Sequence, residues 1–260
     1  VNFLPLNFGG AREDGSATMT GADGSALFGS FFGQSSFADY VIAKARNVVK
    51  VPDDVDLESV GPLGCGIQTG AGAVLNSLRL PAGSGIVVAG TGAVGLSAIM
   101  AAKAAGATTI IAVDVLDERL RVATELGATH TVNGKTDDVV AKITELTGGL
   151  GVEYAVDTTA VPAVMTQLLQ ATRFGASIVL LGVGRPDATL PYPLIAGKTI
   201  LGVVEGDAVP QNFIPQLIAL HRAGAFPFDK LIRKYPFADL DKAIADTQSG
   251  AVVKAVLTFA

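Results

Sequence analysis

The stretch "IVVAGTGAVGLSAIMAAKAAG" (residues 86–106) decides how the rest of the chain is read. It opens with a short apolar run rich in β-branched residues, "IVVAG" (86–90), and continues into "GLSAIMAAKAAG" (95–106), whose Ala and Leu recur at helical spacing until Gly106 stops them. Between the two lie Gly90, Gly92 and Gly95, in G-x-G-x-x-G spacing. The first glycine permits a tight turn, the second lets a phosphate approach the backbone, and the third lets the helix press onto the strand. Free amides at the helix start then face the phosphate. Asp114 follows Gly95 by nineteen residues, at the end of the apolar run "TIIAVD" (109–114). A carboxylate there can accept both hydroxyls of an adenosine ribose. Together these residues point to a dinucleotide, and Asp114 favours NAD over NADP because it would repel a 2′-phosphate. Arg119 and Arg121 work against that preference, since a guanidinium nearby could accommodate the phosphate. The plain structural alternative is a glycine turn of an α/β protein, with Asp114 capping the next helix.

The same rhythm extends outward. "DERLRVATELG" (117–127) reads as a helix with acids at its start and glycine at its end. "HTVN" (130–133) is a short strand, and "TDDVVAKITELTGG" (136–149) a helix with a Thr cap. "EYAVDTT" (153–159), "VPAVMTQLLQATRFG" (161–175), "SIVLLGVG" (177–184) and "TILGVVEG" (199–206) complete a strand–helix–strand–strand series. Six apolar strands with mostly helical crossovers predict an α/β fold with a parallel, doubly wound sheet, buried on both faces. The flanks differ. Residues 1–60 carry Gly/Ser/Asp-rich turns and strand-like pieces such as "FADYVIA" (37–43). Residues 207–260 carry two helices, roughly 211–223 and 239–248, and a final strand "AVVKAVLTF". They read as two parts of a second domain interrupted by the sheet.

Composition agrees. The 260 residues are 49% hydrophobic and only 17% charged, which excludes disorder; the 31 glycines and few aromatics suit helices lying close on a sheet. Net charge is −5 with no block of like charge, so neither a nucleic-acid surface nor an anionic-membrane patch is expected. No apolar run reaches membrane-spanning length. The chain opens on "VNFLPLNFGG", without Met and without signal-like order, which leads us to expect a trimmed start or a fragment of something longer.

The single cysteine, Cys65, sits in "GPLGCGIQTG" (61–70). A lone thiol makes no internal disulfide and holds no metal unaided. By chemistry alone it is either a small buried hydrophobe or a ligand whose partners lie elsewhere. The two histidines, His130 and His221, are not at ligand spacing from it, and each reads as a surface or capping residue. One cysteine also fits a reducing compartment.

Here the residues match something familiar. "GPLGCGIQTGAGAVLN", the glycine loop with its helix, and "IIAVDVLDERL" resemble the zinc-dependent medium-chain alcohol dehydrogenases, as does the tail "FADLDKAIADTQSGAVVKAVLTF". "FFGQSSFADYVIA" and "EGDAVPQNFIPQLIALHRAGAFPFDKLI" resemble the aryl-alcohol (benzyl-alcohol) branch in particular. The resemblance covers essentially the whole chain. It implies a Rossmann domain at 66–206, a partial β-rich, GroES-like catalytic domain at 1–65, and a return to that domain at 207–260.

What it implies for function is an NAD- and zinc-dependent alcohol dehydrogenase passing a hydride between an alcohol, or its aldehyde, and the nicotinamide ring. The family is cytoplasmic and forms homo-oligomers, dimers or tetramers. Two cysteines with a histidine or nearby carboxylate hold its catalytic zinc. Cys65 matches the last of those ligands, and the others would lie upstream of Val1, so this chain alone is expected to be inactive. Thr69 matches a hydroxyl near the nicotinamide, and Val94 the residue that packs on its ring. Val183, Val203 and Glu205 match positions whose backbone bonds the carboxamide. Lys254 matches a basic residue near the pyrophosphate, or is a solvated edge lysine. Phe31 and Phe32 match substrate-pocket positions suited to a flat aryl group, or are ordinary core. A zinc-free quinone or enone reductase of the same superfamily, and a dinucleotide-binding module without catalysis, stand as alternatives.

Overall fold

The computed structural model describes residues 9–30, 37 and 40–259. They form two compact units, one of the described residues up to Pro52 with Phe259, the other Asp53–Thr258. In the first unit, β1 (Met19–Thr20) and β2 (Ala26–Leu27) make a two-stranded antiparallel ribbon. Arg12 donates to the carbonyls of Ala17 and Thr18, which holds the turn before that ribbon.

The second unit begins with α1 (Leu57–Val60), a 3-10 turn at Gly61–Gly64 and α2 (Gly66–Gly72). Then β3 (Gly85–Ala89), α3 (Ala93–Ala104), β4 (Thr109–Asp114), α4 (Asp117–Leu126), β5 (His130–Asn133), α5 (Val139–Leu146), β6 (Val152–Asp157), α6 (Pro162–Ala171), β7 (Thr172–Leu180), α7 (Tyr192–Ile195) and β8 (Thr199–Gly202) follow. The sheet is parallel and six-stranded, in the order β5-β4-β3-β6-β7-β8. This is the expected doubly wound topology. Strand order reverses between β3 and β6, the crevice where such sheets take ligands.

The centre of the sheet is dry. Ile86, Val87, Val88, Ile110, Ile111, Ala155, Val156, Ile178 and Val179 are all buried. Each large aliphatic side chain there contributes on the order of 1.5–3 kcal/mol by leaving water. α3 is apolar nearly all round because it is covered on two sides: residues 95–102 are all buried, and α2 lies across it. Gly70 makes that crossing possible, since a Cβ there would stand 1.9 Å from the carbonyl oxygen of Val94.

The chain ends with α8 (Pro210–Arg222), β9 (Ile232–Pro236), α9 (Leu240–Gln248) and β10 (Lys254–Thr258). β9 and β10 pair in parallel around α9, over a small core of Tyr235, Ala243 and Val252. Lys234 on β9 donates to Asp56 and Glu58 at the start of α1. No helix among the described residues is long and apolar enough to cross a membrane.

Several expected boundaries move. The helix expected over 161–175 stops at Ala171, and Thr172 opens β7 directly, paired with Val152. There the Thr172 hydroxyl bonds back to the Leu168 carbonyl, and the Lys198 ammonium donates to the freed carbonyl of Leu169. β7 ends at Leu180, not at 184. α5 is capped by Asp138, whose carboxylate accepts from the Ala141 amide; Thr136 instead lies in a turn whose amide bonds the Asn133 carbonyl. β8 stops at Gly202, short of 206, because Glu205 to Asp207 turn into the left-handed region. Tyr40–Ala43 of the strand-like "FADYVIA" form no strand; among the described residues no strand pairs with them, and an isolated strand has no stability of its own. Ala38 and Asp39 of that stretch, and Phe31 and Phe32 of the expected substrate pocket, lie outside the described residues.

Candidate functional site

The three loop glycines do three different things. Gly90 turns with φ +84, and a Cβ on it would meet the Thr158 hydroxyl at 2.3 Å. Gly95 lets α3 press on the turn, since its Cβ would stand 1.8 Å from the Gly90 carbonyl oxygen. Gly92 has an ordinary φ of −74, caps α3, and among the described residues has nothing within 4 Å of where its Cβ would be. Open space therefore lies above Gly92, beside the first amides of a twelve-residue helix. That is the shape of a phosphate cradle.

Asp114 closes the loop from the β4 side. One carboxylate oxygen accepts from the Thr91 amide and the Thr91 hydroxyl, both at 2.7 Å. The other accepts from the amides of Val115 at 2.7 Å and Leu116 at 3.1 Å. An ionised carboxylate offers about four accepting positions, so the protein's own donors already use all of them. Asp114 is thus a brace for the glycine loop, and a ribose hydroxyl would have to share its oxygens. Arg119, on α4, donates to the Val252 carbonyl at 3.1 Å; its Nη1 is buried without a partner among the described residues. Arg121 is exposed and paired with Glu118 and Glu125.

A second group gathers at the N-terminus of α2. Cys65 stands at the junction between the 3-10 turn and α2, with φ −142 and ψ −93. The residue keeps open surface, yet burial around its sulfur pushes the thiol up to about 11, helped by the charge of Glu205 and a hydrogen bond to it; the charge of Lys254 pulls the other way. Thr69 donates to the Glu205 carboxylate at 3.4 Å. Val94, on α3, lies against this helix, 3.6 Å from where a Cβ on Gly66 would be. Of the other expected residues, Val203 is buried just after β8 with its amide on the Leu180 carbonyl at 3.1 Å. Val183 lies on the loop after β7 with its side chain 99% exposed. The structure therefore brings together Cys65, Thr69, Val94, Glu205 and Lys254 on one side, and Gly90, Gly92, Gly95 and Asp114 on the other.

Three further residues carry the site without having stood out in the sequence. Gln68 is 2% exposed; its amide donates to the Gly64 carbonyl at 2.9 Å and to Glu205 at 3.0 Å, and its Oε1 has no partner among the described residues. Thr91 is fully buried against Asp114. The Thr158 hydroxyl donates to the Ala89 carbonyl and fills the space behind Gly90. Thr158 was findable as the residue just past β6, at the switch point; Gln68 was not, because its partner is 137 positions away.

Zinc is a different matter. A zinc site with one open position needs about three protein ligands. Among the described residues no three His, Cys, Asp or Glu side chains gather closely enough to hold a metal. His130 bonds Thr129, and His221 faces Phe226 and Asp229. Among the described residues Cys65 with Glu205 is the donor set at this place, and by itself it does not fit a zinc ion.

Comparison with known proteins places these features. Residues 93–222 match the family described as zinc-binding dehydrogenase. The geraniol dehydrogenase of Castellaniella defragrans is 43% identical over the whole of this chain and 70% of its own length. Among solved structures, an alcohol dehydrogenase zinc-binding domain protein from Burkholderia ambifaria is 50% identical, with a TM-score of 0.90 over 97% of this chain and 69% of that one. The benzyl alcohol dehydrogenase of Acinetobacter calcoaceticus is 43% identical, with a TM-score of 0.87 over 93% of this chain and 68% of that one. The chain spans roughly 70% of the length of these relatives. On the glycine loop, the sheet around it and these similarities together, the chain belongs to the zinc-binding, medium-chain alcohol dehydrogenase family.

Proposed function

We infer that this chain carries the NAD-binding part of an alcohol dehydrogenase acting on primary alcohols whose carbinol carbon adjoins an unsaturated carbon. The observation that carries the cofactor reading is the open space over Gly92, at the start of α3, between glycines at 90 and 95 that tolerate no Cβ. The amides of Ala93, Val94 and Gly95, in the first turn of α3, receive the pyrophosphate. The negative charge of Asp114 disfavours a 2′-phosphate, by repulsion more than by hydrogen bonds to ribose. NAD, when bound, supplies a nicotinamide ring that accepts or gives up a hydride. Thr69 and Val94 border that ring and orient it, and the backbone at Val183, Val203 and Glu205 holds its carboxamide.

The substrate class rests on the relatives. Benzyl alcohol and geraniol both carry a primary carbinol next to a π-bond, and aryl alcohols are the class the sequence resemblance implies. The step that activates the alcohol is not assigned to this stretch of chain, because its described residues do not assemble a zinc site. Cys65 is the residue it would lend to one. Homo-oligomer formation and a cytoplasmic location belong to the same reading and rest on the resemblance.

The chain has no tryptophan, so the emission of NADH itself reports binding without interference. Saturable enhancement on titration, competed by NAD⁺ and at least tenfold less well by NADP⁺, supports the reading. No enhancement, or equal competition by NADP⁺, would sink it.

A further inference from the structure

We propose that the side chain of Glu205 biases this site toward the oxidised, positively charged form of the nicotinamide cofactor. The proposal rests on the dinucleotide reading above and adds a charge preference at one end of it.

The topology says which end. Strand order reverses between β3 and β6, so a dinucleotide lying across the crevice has one half over β4 and the other over β6, β7 and β8. Asp114 marks the adenosine half. Glu205 follows β8 and belongs to the nicotinamide half.

The backbone then aims the side chain. Glu205, Gly206 and Asp207 have φ of +52, +69 and +49, three left-handed residues in succession. Two are not glycine, a strained arrangement that persists only where the surroundings hold it. What holds it is α2 and the stretch after it. The Asn76 amide donates to the Gly206 carbonyl at 3.1 Å, and the Ser77 hydroxyl to Asp207 at 2.7 Å. Gly72 and Gly206 meet with no room for a Cβ on either. The turn so held places the Glu205 carboxylate on Gln68 at 3.0 Å and Thr69 at 3.4 Å. Gln68 is a rigid partner: both groups its amide nitrogen faces are acceptors, which settles its orientation.

Both of those donors are neutral, as is the Cys65 thiol that also bonds the carboxylate, so the negative charge is fixed in place by neutral groups. Lys254 is the cation whose charge is felt at Cys65. It forms no ion pair with Glu205 among the described residues. Oxidised nicotinamide carries a positive ring and reduced nicotinamide a neutral one, while the rest of the cofactor is the same. A fixed carboxylate at that end therefore acts differently on the two forms, and only such a difference can shift their ratio.

The test is the ratio of NAD⁺ to NADH dissociation constants, measured by NADH fluorescence and competition on the chain and on two variants. Glu205→Gln keeps the shape, the acceptor and the backbone strain but removes the charge; Glu205→Asp keeps the charge. We expect Glu205→Gln to weaken NAD⁺ relative to NADH by about threefold or more, and Glu205→Asp to stay within about twofold of the parent ratio. Equal weakening of both forms in Glu205→Gln, or an unchanged ratio, would overturn the proposal by making the side chain a prop. So would a Glu205→Gln chain that no longer folds while Glu205→Asp does. Absence of any NADH binding to the parent chain would overturn the cofactor reading itself, and this proposal with it.

Discussion

Gly72 and Gly206 touch backbone to backbone: a Cβ on Gly72 would stand 2.2 Å from the Gly206 carbonyl oxygen, and one on Gly206 would stand 2.8 Å from the Gly72 α carbon. This contact joins the helix after Cys65 to the left-handed turn that carries Glu205. Gly72→Ala is expected to push the turn away, destabilising the chain by about 1–3 kcal/mol through overpacking. Denaturant unfolding followed by circular dichroism measures the loss. A change under about 0.5 kcal/mol would mean that the turn yields freely.

The glycine loop offers a cleaner contrast. Gly92→Ala adds a methyl to open space at an allowed φ, so stability should stay within about 0.5 kcal/mol. NADH affinity should fall by about tenfold or more, because the methyl occupies the cradle. Gly95→Ala, facing the Gly90 carbonyl at 1.8 Å, should instead cost stability first. Thermal unfolding beside NADH titration separates the two.

Asp114→Ala should do two things at once. It leaves the buried Thr91 hydroxyl without its acceptor, a loss of about 1–3 kcal/mol of stability. It also removes the charge that opposes a 2′-phosphate, narrowing the preference for NAD over NADP. Titration with both cofactors, with Thr91→Val as the control for loop bracing alone, checks the second effect. A preference that stays at its parent value would move the discrimination to another residue.

Asp56 provides a pH signature. The hydrogen bond from Lys234, then that from Ser59, holds its carboxyl down to about 2, below the ordinary value of 3.8. A carboxylate with a depressed folded pKa stabilises the fold above its unfolded pKa, and that contribution disappears as pH falls through the folded one. The stability gap between the parent and Asp56→Asn should therefore be full above about pH 4 and close by about pH 2. Urea midpoints across that range test it, and a gap independent of pH would show the ion pair to be idle.

The chain as it stands should bind zinc weakly and leave benzyl alcohol unoxidised, since a single thiol and a carboxylate fall short of the ligands such a site needs. Metal analysis after dialysis, repeated on Cys65→Ser, is the measurement. Stoichiometric zinc lost on that substitution, with NAD-dependent turnover, would show that a working site forms from these residues.

The sheet was legible because its signals are local. The apolar run "TIIAVD" and the short stretch "HTVN" became β4 and β5 with the expected bounds, and the strand–glycine–helix order around Gly90, Gly92 and Gly95 is written in consecutive residues. Boundaries moved where a competing local bond won, as when Asp138 took the cap from Thr136 and the Thr172 hydroxyl turned back on α6. What the residue order alone determined, then, is a doubly wound sheet with a glycine loop and the family that carries it. What only the tertiary structure decided is how the site is held. Asp114 spends its oxygens on Thr91 and the start of α4, the Thr158 hydroxyl fills the space behind Gly90, and Glu205 is aimed at Gln68 and Thr69 from more than 130 positions away. Periodicity and turn chemistry act over a few residues, whereas these contacts exist only once packing brings distant backbone within hydrogen-bond reach.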